Sequence, residues 1–186
     1  GLSIATWASR VPSIKADLGL DNAQVGLILL GMGVSSIIGI ATSPAVMART
    51  GARVGMLAMM LAFSAGISLV GFGATVFGSV PLVLAGMVLF GFGNGCLDVM
   101  MNVEATAIEQ QMGRTVLPVF HAFFSFGTVI GAGVGALAAW LHLTVAAHAG
   151  IIGVLLAAIA VFCFTQVPVR TDALDPAPTE KPAWRE

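Results

Sequence analysis

Charge is what this chain has least of. Asp, Glu, Lys and Arg together make up 9% of its 186 residues, against about a quarter in an ordinary soluble domain. The shortage is also uneven, because the stretches 22–48, 54–97 and 115–169 contain none of the four. A soluble domain of this size has no single core able to hide so much uncharged helix, so a soluble fold is excluded. Cysteine is scarce too: Cys96 and Cys163 both fall inside apolar stretches, which argues against a disulfide framework. With eight basic and nine acidic side chains there is no basic stripe for nucleic acid. No nucleophile motif, no His/Cys/Asp cluster at metal-ligand spacing and no phosphate-binding glycine loop is recognisable. The sequence therefore does not read as an enzyme and calls for no metal or cofactor.

What is present is apolar, with 58% hydrophobic residues. A helix of about 20 apolar residues crosses the roughly 30 Å hydrocarbon core, so the three uncharged runs hold about one, two and two crossings. The pattern predicts spans at 24–47, 54–72, 81–103, 116–140 and 145–167. The breaks between them are a basic turn at 49–53, a loop at 73–81, a charged turn at 109–114 and the short segment 141–144. Ahead of these, 1–11 is apolar, stops at Pro12 and places Trp7 at a membrane interface. It is too short to span, lacks the basic start of a signal peptide and is interrupted by Arg10. It reads as the last part of a first helix that begins upstream. The expectation is thus an all-α membrane protein: a six-transmembrane-helix bundle over 1–167 with its first helix truncated. Residues 168–186, with Pro168, Pro176, Pro178 and Pro182 among alternating charges, form an extended linker or tail. Arg49, Arg53, Arg114, Arg170, Lys181 and Arg185 fall on one side, against Arg10 and Lys15 on the other, which places the tail in the cytoplasm and the protein in the cell membrane as a multi-pass protein.

The spans differ in polarity. Those at 54–72 and 151–164 carry almost no polar side chain and are expected to face lipid. The span from Pro81 carries Asn94, Asp98 and Asn102 at i, i+4, i+8, and the span from Val116 carries His121, Ser125 and Thr128 at i, i+4, i+7. Each set is one stripe on its helix, expected to face the other or a water-filled cavity. For Asn94, Ser125 and Thr128 the competing account is interhelical hydrogen bonding that serves packing alone. A carboxylate inside the bilayer costs about 2.5–3.5 kcal/mol even on the lenient scale, so Asp98 must be paired or protonated there, and a group that alternates between the two carries protons. Were its helix to end early, Asp98 would be an ordinary solvated acid. His121 either relays that proton or is a packed histidine. His142 and His148 are expected near the interface. Arg10 either faces a cavity mouth or snorkels to the helix end. Gly127, Gly131 and Gly135 at every fourth residue, and Gly91, Gly93 and Gly95, are close-packing surfaces first.

Gly91-x-Gly93-x-Gly95-x-x-Asp98-x-x-x-Asn102 resembles the fourth-helix pattern of the major facilitator superfamily, in the branch around the fucose permease. Glu109-x-x-x-Gly113-Arg114 and Pro118-x-x-His121-x-x-x-Ser125-x-Gly127 resemble that branch's fourth loop and fifth helix. Arg49-x-Gly51-x-Arg53 is similar to the superfamily's conformational loop motif, with Ala48 where an acid is usual. The resemblance implies the N-terminal half of a twelve-helix carrier working by alternating access. It also implies a small solute, a sugar or another polar metabolite, proton symport through Asp98, and a second six-helix half or equivalent partner. Two other readings remain open: a membrane-embedded binding or assembly subunit without transport, and an efflux carrier for drugs or metabolites.

Overall fold

The computed structural model describes residues 1–166, all of whose regular structure is helical. Five elements follow in order: α1 (Leu2–Leu18), α2 (Asn22–Thr75), α3 (Val80–Met112), α4 (Leu117–Trp140) and α5 (Val145–Gln166). The last four are long and apolar enough to cross a membrane. The linker expected at 168–186 lies outside the described residues.

Local chemistry explains most of the boundaries. Asp21 starts α2 with a reciprocal capping box: its carboxylate accepts from Gln24 N at 2.7 Å, and Gln24 Oε1 accepts from Asp21 N at 2.9 Å. Ser79 caps α3, with Pro81 in the first turn, where a missing N–H costs nothing. Gly19 and Gly113 end α1 and α3 in left-handed geometry. The start of α4 has no cap of its own, and Glu109 supplies one from α3 by accepting from Val116 N and Leu117 N at 2.7 and 2.8 Å. Glu109→Ala should therefore expose two orphan amides at a cost of about 1 kcal/mol, read as faster hydrogen exchange at Val116 and Leu117 with the rest of α4 unchanged.

Three boundaries correct the sequence expectation. The α1 helix does not stop at Pro12 but continues through it to Leu18, since one missing hydrogen bond is tolerated when neighbouring helices hold the segment. The α3 helix runs past 103 to Met112, so the charged turn expected at 109–114 is mostly helix. The loop expected at 73–81 shrinks to 76–79. The helix count also differs, at five elements rather than six, because the break expected at 49–53 is the single non-helical residue Gly51 (φ 73°, ψ 160°) inside the 54-residue α2.

That residue reverses the chain. Before Gly51, Gly31 meets Leu84 of α3, and Gly39 meets Phe92 and Cys96, so the two run in the same direction. After it, Gly55 meets Met100, Gly66 meets Phe90 and Gly73 meets Val83, which is the opposite direction. At 1.5 Å per residue, α2 unfolded into one rod would measure about 80 Å, far beyond a bilayer. The α3 helix is accordingly wedged between two antiparallel arms. The second arm packs on α5, and α1 packs mainly on α4.

Lipid tails are as apolar as the side chains, so dispersion and close fit hold these helices together rather than water exclusion. Phe63 and Phe90 stack with centroids 4.3 Å apart, and Trp7 meets Phe90 edge-on at 6.4 Å. Trp7 therefore packs against the bundle interior. Nor are 54–72 and 151–164 purely lipid-facing: Phe63, Ser64, Ile67, Val70, Ile152, Gly153 and Leu156 are buried along one side of each. Small residues create that buried side. Gly71 and Gly153 bring the two segments together, a feature that polarity counting misses.

Candidate functional site

Glycine positions the acidic stripe of α3. Added methyl groups at Gly91 and Gly95 would overlap the carbonyl oxygens of Met32 and Ser36, and one at Gly93 would come within 2.9 Å of Met59 O on the other arm. The helix is pressed on both sides by backbone. Asp98 follows Gly95 by three residues, so its carboxylate borders the seam with the first arm of α2. It is exposed, and among the described residues its carboxylate has no hydrogen-bond or ion-pair partner. Asn94 and Asn102 are half-buried. The Asn102 side-chain amide turns back to donate to the Asp98 backbone carbonyl at 2.7 Å, which orients it beside the carboxylate.

The second stripe lies on α4, the least covered helix, whose buried residues are Gly131, Gly135 and Ala138. His121 and Ser125 are exposed and Thr128 half-buried. Ser125 donates to His121 O at 3.1 Å and Thr128 to Phe124 O at 3.0 Å, both within the helix. The α3 and α4 helices touch only lightly. Neither stripe bonds to the other. Asp98 on one stripe and His121 and Ser125 on the other are exposed.

Gly131 sits against the Leu2 backbone, Gly135 against Ser9, and Gly127 within van der Waals reach of Leu2, so the three α4 glycines form the seam with α1. Arg10 is neither at a cavity mouth nor snorkelling: it is buried and donates through Nη2 to the Leu143 carbonyl in the α4–α5 turn. His148 is likewise buried, near the start of α5, whereas His142 is exposed. Both cysteines are free thiols. Among the described residues no three His, Cys, Asp or Glu side chains converge as metal ligands would.

At the opposite end, the loop motif does something its spacing did not disclose. Gly51 makes the reversal, Arg49 is exposed, and Arg53 reaches across to α5, donating from Nε and Nη2 to Phe164 O at 3.0 and 2.6 Å. Its guanidinium also lies 4.1 Å from the centroid of the Phe164 ring. A planar fork can bind one carbonyl and cover a ring at once, and an ammonium cannot. Arg53→Lys should lose most of the about 1.5–3 kcal/mol typical of charge-assisted hydrogen bonds. A lowered thermal midpoint in detergent, with faster maleimide labelling of the exposed Cys163 beside Phe164, is the expected result.

A family profile described as Major Facilitator Superfamily matches residues 2–186. An uncharacterized MFS-type transporter of Yersinia pestis is 33% identical over 144 residues, covering 77% of this chain and 36% of that protein. An uncharacterized transporter of Sinorhizobium fredii is 32% identical over 148 residues, 80% of this chain and 38% of its own length. The membrane protein MosC of Rhizobium meliloti is 28% identical over 131 residues, 70% and 31% respectively. The chain thus spans a little over a third of the length of the first two of these relatives. No solved structure matches.

Proposed function

The chain belongs to the major facilitator superfamily as a multi-pass membrane protein, and from that premise we propose that it forms the N-terminal half of a proton-coupled carrier for a small polar solute. Split at Gly51, its five helical elements make six segments, the number one half of a twelve-helix carrier requires. The two halves would rock about a central site, with the tail in the cytoplasm of a cell membrane.

One observation carries the coupling: among the described residues the Asp98 carboxylate is exposed and has no partner, on a helix whose flanks are locked by glycine contacts. At membrane depth such a group is stable only when bathed in water or protonated. Those are the two conditions it meets in a cavity that faces each side in turn. Asn94 and Asn102 on α3, and His121 and Ser125 on α4, supply donors and acceptors for a hydroxylated solute. Arg49, Gly51 and Arg53 govern the turn that differs between conformations, and the glycine seams are the surfaces along which helices shift.

The test is reconstitution of the complete protein in vesicles holding a pH-sensitive dye. Solute addition should move protons in the same direction as solute, with sugars and other polar metabolites as the first panel. Solute exchange without proton movement would refute coupling. A second reading, an assembly subunit without transport, draws on the bare apolar surface of α4. It requires a stable partner complex and no flux of any solute.

A further inference from the structure

At the end of the bundle away from Gly51, α1 carries a guanidinium into a closed interior. Arg10 is 4% exposed and its Nε has no hydrogen-bond partner. His148 of α5 is 3% exposed, and neither of its ring nitrogens has a partner. Arg10 reaches the Leu143 carbonyl, five residues before His148. Ser9, one residue before Arg10, and His148 both abut Gly135 of α4, so three helices meet here. Buried polar atoms are nearly always paired. Three orphaned nitrogens in one place mark a missing group.

Its chemistry follows from what the nitrogens need. Arg10 Nε–H can only donate, and the imidazole offers one N–H donor when neutral and two when protonated. The missing group is therefore an acceptor. Charge balance makes it anionic, because α2, α4 and α5 contain no Asp or Glu at all. The acids of α3 begin only at Asp98, about 27 Å along the axis from its Val80 end. The one acid of α1, Asp17, stands seven residues on, about 10 Å along the axis, beside the Thr75 hydroxyl at 3.5 Å. Lys15 adds another cation and is bonded to Asn22. The N-terminus of α5, three residues before His148, contributes the positive end of its dipole. His142 in the neighbouring turn is exposed, and Arg49, Arg53 and His121 belong to the far end. Against this field, among the described residues, stand the last carbonyls of α4, about half an elementary charge, with Asp17 and the exposed Asp21 farther along the chain.

We propose that Arg10 and His148 hold a small inorganic anion of chloride size between α1, α4 and α5, with Arg10 Nε–H and the imidazole N–H groups as donors. A water molecule in the same place would satisfy the hydrogen bonds and leave the guanidinium charge uncompensated. The site is separate from the Asp98 stripe and stands whether or not the proton-coupling reading does.

Thermal melting of the purified full-length protein in chloride against gluconate at equal ionic strength tests it. Chloride should raise the midpoint saturably at low pH, and its affinity should fall about tenfold per pH unit as the imidazole gives up its proton. His148→Gln, which keeps a donor and loses the proton, should bind more weakly with no pH slope. Arg10→Gln should abolish the shift. If that variant is not monodisperse, Arg10→Lys serves, since it keeps the charge without the Nε donor and should bind at least tenfold more weakly. Identical melting in chloride and gluconate at every pH would overturn the proposal and leave a water there. An unchanged affinity in Arg10→Lys, or an unchanged pH slope in His148→Gln, would also overturn it.

Discussion

Asp98→Asn is expected to abolish gradient-driven accumulation while leaving solute exchange intact. A gradient of one pH unit is worth about 1.4 kcal/mol per proton, or about tenfold accumulation of a solute that moves with one proton. Asparagine has the shape of a protonated carboxyl and keeps a donor and an acceptor, but it has no proton to release. The variant should behave as a carrier held permanently in its loaded charge state. Its accumulation ratio should fall from about ten to one for that gradient, with counterflow of labelled solute continuing near the native rate. Because Asp98 is exposed and has no side-chain partner among the described residues, the substitution breaks no hydrogen bond or ion pair there, so a folding defect is not expected. Native-like accumulation would place the coupling on another group. Loss of exchange as well would make Asp98 part of the solute site rather than the proton path.

The largest structural effect is expected at Gly95. A single methyl there would collide with the Ser36 carbonyl oxygen and come within 3.1 Å of Ile40 N, both of them backbone atoms that cannot rotate away. Either α3 or the first arm of α2 must retreat, and Asp98 three residues on would retreat with it. Overpacking of this kind costs about 1–3 kcal/mol, and more when the obstruction is backbone. Gly133, also mid-helix, has nothing within 4 Å of the place a methyl group would take. There alanine relieves the flexibility of glycine and should stabilise α4 by up to about 1 kcal/mol. Melting curves of Gly95→Ala and Gly133→Ala should therefore shift in opposite directions. A shared direction would mean that the α2–α3 seam is looser than the backbone contacts require.

Hydropathy made the crossings legible because lipid imposes one requirement on every residue in a span. The turn at 141–144 and the reversal within 49–53 also stood out, one by shortness and the other by its arginines around Gly51. Helix ends were less legible, as at Met112 and Pro12, since hydropathy reports where the membrane stops and not where hydrogen bonding stops. The depth of Trp7, Arg10 and His148 was hidden for a different reason. Each is buried by an element far away in sequence, α1 against α3, α4 or α5, and no spacing within one helix encodes such a meeting. Asp98 and its neighbours were readable as a stripe from their four-residue spacing. What the stripe faces was not, because neither it nor the α4 stripe is bonded to the other.

The wedged position of α3 has a consequence for synthesis. The chain emerges from its N-terminus, so both arms of α2 enter the bilayer before the helix that fits between them. For that interval Gly31, Gly39, Gly66 and Gly73, which meet α3 in the finished bundle, have no α3 to meet. The single-residue reversal at Gly51 keeps the arms joined at one end by the shortest connection a chain permits. The late-arriving helix then finds its berth already shaped, and assembly becomes the replacement of acyl chains by a better-fitting polypeptide.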